Sequence, residues 1–103
     1  MNEKKTVLYG LDDNPDERLR MEFVTDKGKV MDLVVQYESF FDNVWNPIVR
    51  YDCSHGYFHR DTMKKDGIKR KKEIKVSNLN EALNYALVDI KINWESYKEN
   101  YCN

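Results

Sequence analysis

Both histidines of this 103-residue chain lie within residues 50–61, which read RYDCSHGYFHRD. The same stretch contains two arginines and two aspartates. Histidine is the side chain whose ordinary pKa allows proton transfer near neutral pH. Arginine holds a phosphate or a carboxylate through two hydrogen bonds. The residue types therefore favour proton transfer next to a bound anion.

Strand alternation around a turn near residues 54–56 determines which of these side chains share a face of the sheet. An even loop, formed by residues 53–56 or 55–56, places five of them together: Arg50, Asp52, Tyr57, His59 and Asp61. In the two-residue version Asp52 lies opposite His59, and Arg50 lies opposite Asp61. An odd loop gathers a different set: Arg50, Asp52, Phe58 and Arg60.

The even loop predicts a catalytic site. Asp52 would orient the His59 ring, and His55 at the turn would be the second proton carrier. Arg50 or Arg60 would bind a phosphate. Two imidazoles suffice to cleave RNA through its own 2′-hydroxyl, and this chemistry needs no metal ion. The sequence contains no phosphate-binding loop, dinucleotide fingerprint or close metal-ligand motif, so we expect no cofactor.

A purely structural interpretation of the same residues stays open. Opposed His-Asp and Arg-Asp pairs are ordinary cross-strand stabilisers, each worth about 0.2–1 kcal/mol. The neighbouring aromatic residues Tyr51, Tyr57 and Phe58 are of a type found more often in cores than in base-stacking platforms. On this interpretation the polar hairpin only stabilises the sheet.

Charge is unevenly distributed along the chain, although the formal net charge is only −1. Residues 50–75 contain nine Lys or Arg against four Asp or Glu. Such a segment can attract RNA through charge alone, and the candidate nucleic-acid-binding residues are Arg60, Lys64, Lys65, Lys69, Arg70, Lys71 and Lys72. A solvated basic hairpin is the alternative.

The sequence pattern predicts an α+β domain that spans residues 1–103. Residues 1–16 are expected to be a lead-in, and residues 17–76 are expected to form an antiparallel sheet of four to five strands. Alternation over residues 18–37 indicates a hairpin, followed by strands at about 44–53, 57–63 and 69–76. No segment is apolar enough to cross a bilayer, and no signal peptide is evident, so we expect a cytoplasmic protein.

Residues 78–101 are expected to form one long C-terminal helix packed across one face of the sheet. Asn78 precedes Glu81 by three residues, as in a capped helix start, and the apolar stripe that follows contains Leu79, Leu83, Ala86, Leu87, Ile90, Trp94, Tyr97 and Tyr101. A second, narrower stripe consists of Tyr85, Val88 and Ile92. This second stripe either covers the sheet margin or contacts a second protein or a second copy of the chain.

Residues 50–52 (Arg-Tyr-Asp), followed by His55-Gly56 and His59-Arg60, resemble the signature of the TumE-type toxins of type II toxin–antitoxin systems. The order of elements is similar over about residues 18–98, and the specific part is confined to residues 50–60. The resemblance implies a toxin that acts on RNA and an antitoxin partner that holds it inactive. It assigns roles to Arg50, Asp52, His55 and His59, with a structural role for Gly56. Asp61 stands where the family often has a further histidine.

The function expected from the sequence is thus a toxin-like, metal-independent ribonuclease. The main alternative is a non-enzymatic binding or regulatory module that contacts its partner through the second helical stripe.

Overall fold

A computed structural model describes residues 2–54 and 56–103. Six β-strands precede one α-helix: β1 Asn2–Leu11, β2 Asn14–Asp26, β3 Lys29–Phe41, β4 Val44–Asp52, β5 His59–Met63, β6 Lys69–Glu73 and α1 Leu79–Cys102. The strands form one antiparallel sheet in which each strand pairs with its neighbours in the chain. The α+β class and the helix packed on an antiparallel sheet are confirmed.

The expected lead-in over residues 1–16 is wrong, because residues 2–11 form β1 and bring the sheet to six strands. β1 is an edge strand whose side chains are mostly exposed, with only Leu11 buried. Because neither face of β1 is consistently buried, its sequence lacks the alternation of apolar and polar residues that indicates a half-buried strand. Asp12 and Asp13 have φ angles of 50° and 56° and form the two-residue turn into β2.

The core lies between α1 and the face of the sheet that the helix covers. The indole of Trp94 packs edge-on against the ring of Tyr37, with centroids 6.1 Å apart. Buried apolar side chains come from three of the four inner strands, β2, β3 and β4, and from the helix, and they include Leu19, Met21, Leu33, Val35, Val49, Tyr51, Ala82, Ala86 and Ile90. Burial of these apolar side chains holds the helix on the sheet.

The start of α1 is capped as expected. The Asn78 side chain accepts a hydrogen bond from the backbone N–H of Glu81 at 2.9 Å. The Glu81 carboxylate accepts from the backbone N–H of Ser77 instead of that of Asn78, at 3.3 Å. Within the described residues, no helix is long and apolar enough to cross a membrane.

Alternation along the strands sends consecutive side chains to opposite faces of the sheet. Tyr51 and Arg60 contact α1 through Asp89 and Tyr97. The side chains one position away therefore lie on the other side, which we call the helix-free face. Its central residues are Arg18, Gln36, Glu38, Arg50, Asp52, His59 and Asp61.

Candidate active site on the helix-free face

The β4–β5 hairpin has the register expected from the two-residue version of the even loop. Asp52 pairs with His59, and Arg50 pairs with Asp61. The connection comprises residues 53–58, six residues rather than two or four, and its even length preserves the same facing. The structure thus brings Arg50, Asp52 and His59 together. His55 lies outside the described residues.

Asp52 is the best-connected carboxylate of the site. Its Oδ2 atom accepts a hydrogen bond from Arg50 Nε at 2.7 Å, and its Oδ1 atom accepts from the backbone N–H and the hydroxyl of Ser54 at 3.1 and 2.9 Å. Burial of the carboxylate favours its neutral form, but the bonds from Arg50 and Ser54 outweigh burial and hold the pKa of Asp52 below its ordinary value. Asp52 is therefore a carboxylate at neutral pH.

Both ring nitrogens of His59 face oxygen atoms. Nε2 lies 2.9 Å from Asp52 Oδ1, and Nδ1 lies 3.2 Å from the backbone carbonyl oxygen of Tyr57. A neutral imidazole has only one N–H. The ring can bond both oxygens at once only if both nitrogens carry protons, or if another cation lies between Nε2 and the carboxylate. His59 is only 1% exposed, and the Tyr57 ring lies 5.3 Å from it between centroids.

Asp61 completes a cluster with Asp52 and His59. Its Oδ2 atom lies 3.7 Å from His59 Nε2 and 4.0 Å from Lys69 Nζ. Its Oδ1 atom is buried and has no hydrogen-bond partner among the described residues. One ligand atom from each of the three residues lies within 4.8 Å of the others. We call Asp52, His59 and Asp61 the Asp–His–Asp cluster.

Hydrogen bonds extend from this cluster across the sheet. Arg50 donates to the Gln36 amide oxygen at 3.3 Å, and Gln36 donates to Glu38 at 2.6 Å. Arg18 donates to the other oxygen of Glu38 at 2.8 Å and also lies over the Trp45 ring. No local motif marks these residues. Gln36 and Glu38 alternate with the buried Val35 and Tyr37, and Arg18 pairs with Glu38 across the sheet, so all three share one face.

Acidic side chains are buried on this face, and basic side chains are exposed above them. The Arg50 side chain is 38% exposed over Asp52 at 8%, and the Lys69 side chain is 57% exposed over Asp61 at 6%. The same order holds for Arg18 above Glu38. A polyanion that approaches the helix-free face therefore meets guanidinium and ammonium groups first.

The remaining candidate nucleic-acid-binding residues are divided between the two faces. Lys69 and Lys71 lie on the helix-free side of β6, whereas Arg70 and Lys72 point to the other side. All four are exposed. Lys64 and Lys65 lie in the turn between β5 and β6, where the backbone N–H of Lys65 donates to the carbonyl of Tyr101. The seven basic residues thus do not form one surface.

Arg60 lies on the helix-covered side, away from the Asp–His–Asp cluster. Its guanidinium donates to the Tyr97 hydroxyl at 3.0 Å and lies 3.6 Å from Asp89. The hydroxyls of Tyr51 and Tyr97 both donate to Asp89. Burial first, and then the bond to Asp89, raise the pKa of both phenols. The role of Asp89 was missed because two of its partners, Tyr51 and Arg60, come from strands far away in the sequence.

A family model matches residues 1–103, which is the full length of the chain. The chain belongs to DUF7718, a domain of unknown function. Comparison with curated proteins and with solved structures gives no match for this DUF7718 domain.

Proposed function

We propose that this DUF7718 domain is the toxin-like member of a toxin–antitoxin pair and that it cleaves RNA without a metal ion. The observation that supports the proposal most directly is the Asp52–His59 contact of 2.9 Å, with Arg50 bound to the same carboxylate. A carboxylate that holds one imidazole nitrogen leaves the other nitrogen to transfer a proton. Arg50 lies close enough to hold the reacting phosphate.

The charge distribution of the helix-free face favours an RNA substrate. Arg50 and Lys69 are exposed above buried carboxylates, so the phosphate backbone would bind the rim of the site. Lys71 adds a further cation on the same side of β6. These contacts would give affinity without sequence preference.

The proposed reaction divides two proton transfers between two imidazoles. One imidazole, assigned to His55, takes the proton of the 2′-hydroxyl as the 2′-oxygen forms a bond to phosphorus. The bond from phosphorus to the 5′-oxygen breaks, and His59 Nδ1 gives its proton to that oxygen. The products are a 2′,3′-cyclic phosphate and a 5′-hydroxyl end. Because His59 is buried beneath Tyr57, this step requires residue 57 to move aside.

Cleavage of RNA in a chelator tests this proposal. We expect the purified wild-type protein to cut RNA in excess EDTA and to leave 2′,3′-cyclic phosphate ends. His59→Gln should reduce the rate by about 10²–10⁴-fold, the usual contribution of a proton-transfer group. The control Glu73→Gln removes an exposed carboxylate opposite His59 and should cut at the wild-type rate. Activity that disappears in EDTA would reject the metal-free mechanism.

Growth of a host that expresses the chain alone tests the toxin role. We expect arrest with the wild type and normal growth with His59→Gln, provided that circular dichroism shows the variant to be folded. A harmless wild type would argue against a toxin. If a neighbouring reading frame encodes a small DNA-binding protein, its co-expression should restore growth.

Salt-dependent RNA binding tests the proposed surface. For single strands the logarithm of the binding constant falls with slope about −0.7 per neutralised phosphate. The double change Lys69→Gln and Lys71→Gln should therefore reduce the magnitude of the slope by up to about 1.4. The matched control, Arg70→Gln with Lys72→Gln, removes the same charge from the other side of β6. It should reduce the magnitude of the slope less than the Lys69 and Lys71 double change does. Equal effects would reject the helix-free face as the binding surface.

A second candidate function is a non-enzymatic binding module. Val88 and Ile92 are 57% and 73% exposed on the outer side of α1, and Tyr85 is 42% exposed beside them. Exposed apolar side chains at helical spacing are typical of a protein contact. Ile92→Asp should abolish partner binding or self-association, measured by sedimentation, and should leave RNA cleavage unchanged. A folded, inert wild type whose sedimentation depends on Ile92 would favour this function.

A further inference from the structure

The Asp–His–Asp cluster has the composition and spacing of a metal site. Two carboxylates and one imidazole are the ligands that zinc and related divalent ions bind. With bonds of about 2.0–2.2 Å, neighbouring ligand atoms lie about 2.8–4.2 Å apart. His59 Nε2 lies 2.9 Å from an oxygen of Asp52 and 3.7 Å from an oxygen of Asp61, within this range.

The environment of the imidazole selects Nε2 as the metal ligand. Nδ1 faces the backbone carbonyl of Tyr57, and an Nδ1–H bond to a carbonyl is the usual partner of a metal-binding histidine. Nε2 then directs its lone pair toward two carboxylates. When only Nδ1 carries a proton, such a contact is repulsive unless a cation lies between the ring and the oxygens, and a divalent ion supplies that charge.

Asp61 provides an independent indication of a missing partner. Its residue is only 4% exposed, and its Oδ1 atom has no hydrogen-bond partner among the described residues. A buried carboxylate oxygen without a partner is costly and uncommon in folded proteins. The other oxygen of the same carboxylate faces His59 Nε2, so the group is directed into the cluster.

The groups around the cluster support ion binding. Arg50 holds Oδ2 of Asp52, and Ser54 holds Oδ1, the oxygen that faces the His59 ring. Lys69 Nζ is 4.0 Å from Asp61, and its side chain is 57% exposed, so it can turn away into solvent when an ion enters. Groups that hold the ligand side chains in this way form the outer shell, which orients the ligands toward the metal ion.

We propose that Asp52, His59 and Asp61 together bind one divalent transition-metal ion of the zinc or cobalt type. A nitrogen ligand and only two carboxylates favour these ions over magnesium and calcium, which prefer oxygen ligands in larger number. The site goes beyond the proposed function and does not rest on it. An ion on Nε2 removes the proton through which Asp52 holds the ring, so it would inhibit the metal-free cleavage proposed above.

Titration of chelator-stripped wild-type protein with Co²⁺ tests this site. We expect one Co²⁺ per chain, with a visible spectrum typical of nitrogen and oxygen ligands. Zn²⁺ should displace it, and Mg²⁺ at the same concentration should not. The absence of saturable Co²⁺ and Zn²⁺ binding by folded wild type would overturn the proposal. A strong thiolate-to-cobalt band would also overturn it, because it would assign the ion to Cys53 or Cys102.

Two substitutions locate the ion. Asp61→Asn keeps the size of the side chain and should weaken Co²⁺ binding by at least about tenfold. Glu73→Gln, on the exposed neighbouring strand, should bind like wild type. Equal affinity of wild type and folded Asp61→Asn would reject the cluster as the site. Metal binding by a protein that never cleaves RNA would reject only the proposed ribonuclease function.

Discussion

His59 and Arg60 are consecutive residues of β5, and their side chains belong to polar clusters on opposite faces of the sheet. His59 contacts Asp52 on the helix-free face, whereas Arg60 contacts Tyr97 and Asp89 of α1. The exposed cationic side chains of Arg50 and Lys69 surround the first cluster. The second one joins the helix to the sheet.

Substitution of the two arginines should separate binding from stability. Arg60→Gln leaves Asp89 without its cation and should lower the free energy of unfolding by about 1.5–3 kcal/mol, with RNA binding unchanged. Arg50→Gln should weaken RNA binding and lower stability less, because the Arg50 side chain is 38% exposed. Urea unfolding and RNA titration of both variants check this. RNA binding that depends on Arg60 and not on Arg50 would contradict the assignment of the faces.

The Tyr51 hydroxyl should contribute measurably to the contact between α1 and the sheet. Tyr51→Phe removes the bond to Asp89 and keeps the ring stacked on Phe58, at 5.3 Å between centroids. We expect a loss of about 1–3 kcal/mol in urea unfolding, because the bond involves a charged group. Tyr85→Phe is the matched control and should change stability by less than about 0.5 kcal/mol. Similar losses in both variants would show that the bond to Asp89 adds nothing.

Acid should destabilise the protein partly through Asp52. Its pKa is lower in the folded protein than in the unfolded chain, so its contribution is complete above the ordinary aspartate pKa of about 4. The contribution disappears as pH falls through the lower, folded value. Urea unfolding should be measured from about pH 6 to about pH 2.5, a range that spans the ordinary aspartate pKa. Over this range the free energy of unfolding should decline less for Asp52→Asn than for wild type. Parallel curves would contradict the prediction.

Alkali should destabilise the protein through its buried phenols. Burial first, and then hydrogen bonds to carboxylates, raise the pKa of Tyr37, Tyr51 and Tyr97. Their stabilising effect is present below the ordinary tyrosine pKa of about 10 and is lost as pH rises above it, because the unfolded chain releases these protons first. Tyrosinate absorbance should rise in two steps, and the second should coincide with loss of circular dichroism. Titration of all seven tyrosines before unfolding would contradict this.

Tyr57 should control access to His59. Its ring is 38% exposed and packs beside the buried imidazole. In a His55→Gln background, where His59 is the only histidine, Tyr57→Ala should increase the rate of histidine modification by diethyl pyrocarbonate by about tenfold or more, the change expected when a barrier falls by about 1.4 kcal/mol. Tyr9→Ala, on the distant edge strand β1, should leave the rate unchanged. An equal rate in both variants would show that Tyr57 does not cover the ring.

Local patterns predicted much of this fold and of the arrangement of the candidate site. The two-residue version of the even loop predicted that Asp52 opposes His59, and this pairing is present. An even loop of any length keeps both residues on one face of the sheet. Asn78 and the apolar stripe predicted the helix. β1 was missed because an exposed edge strand shows no alternation. The link from Arg60 to Asp89 and Tyr97 was missed because it joins residues up to 37 positions apart, and no local pattern carries such information.

The strictly sequential order of the strands has a consequence for synthesis of the chain. Each strand pairs with the one made just before it, so the sheet can assemble through short loop closures while translation continues. The helix that covers its apolar side is made after all six strands. Until α1 emerges, Leu19, Val35 and Tyr51 face water, and the nascent sheet is prone to aggregation during that interval.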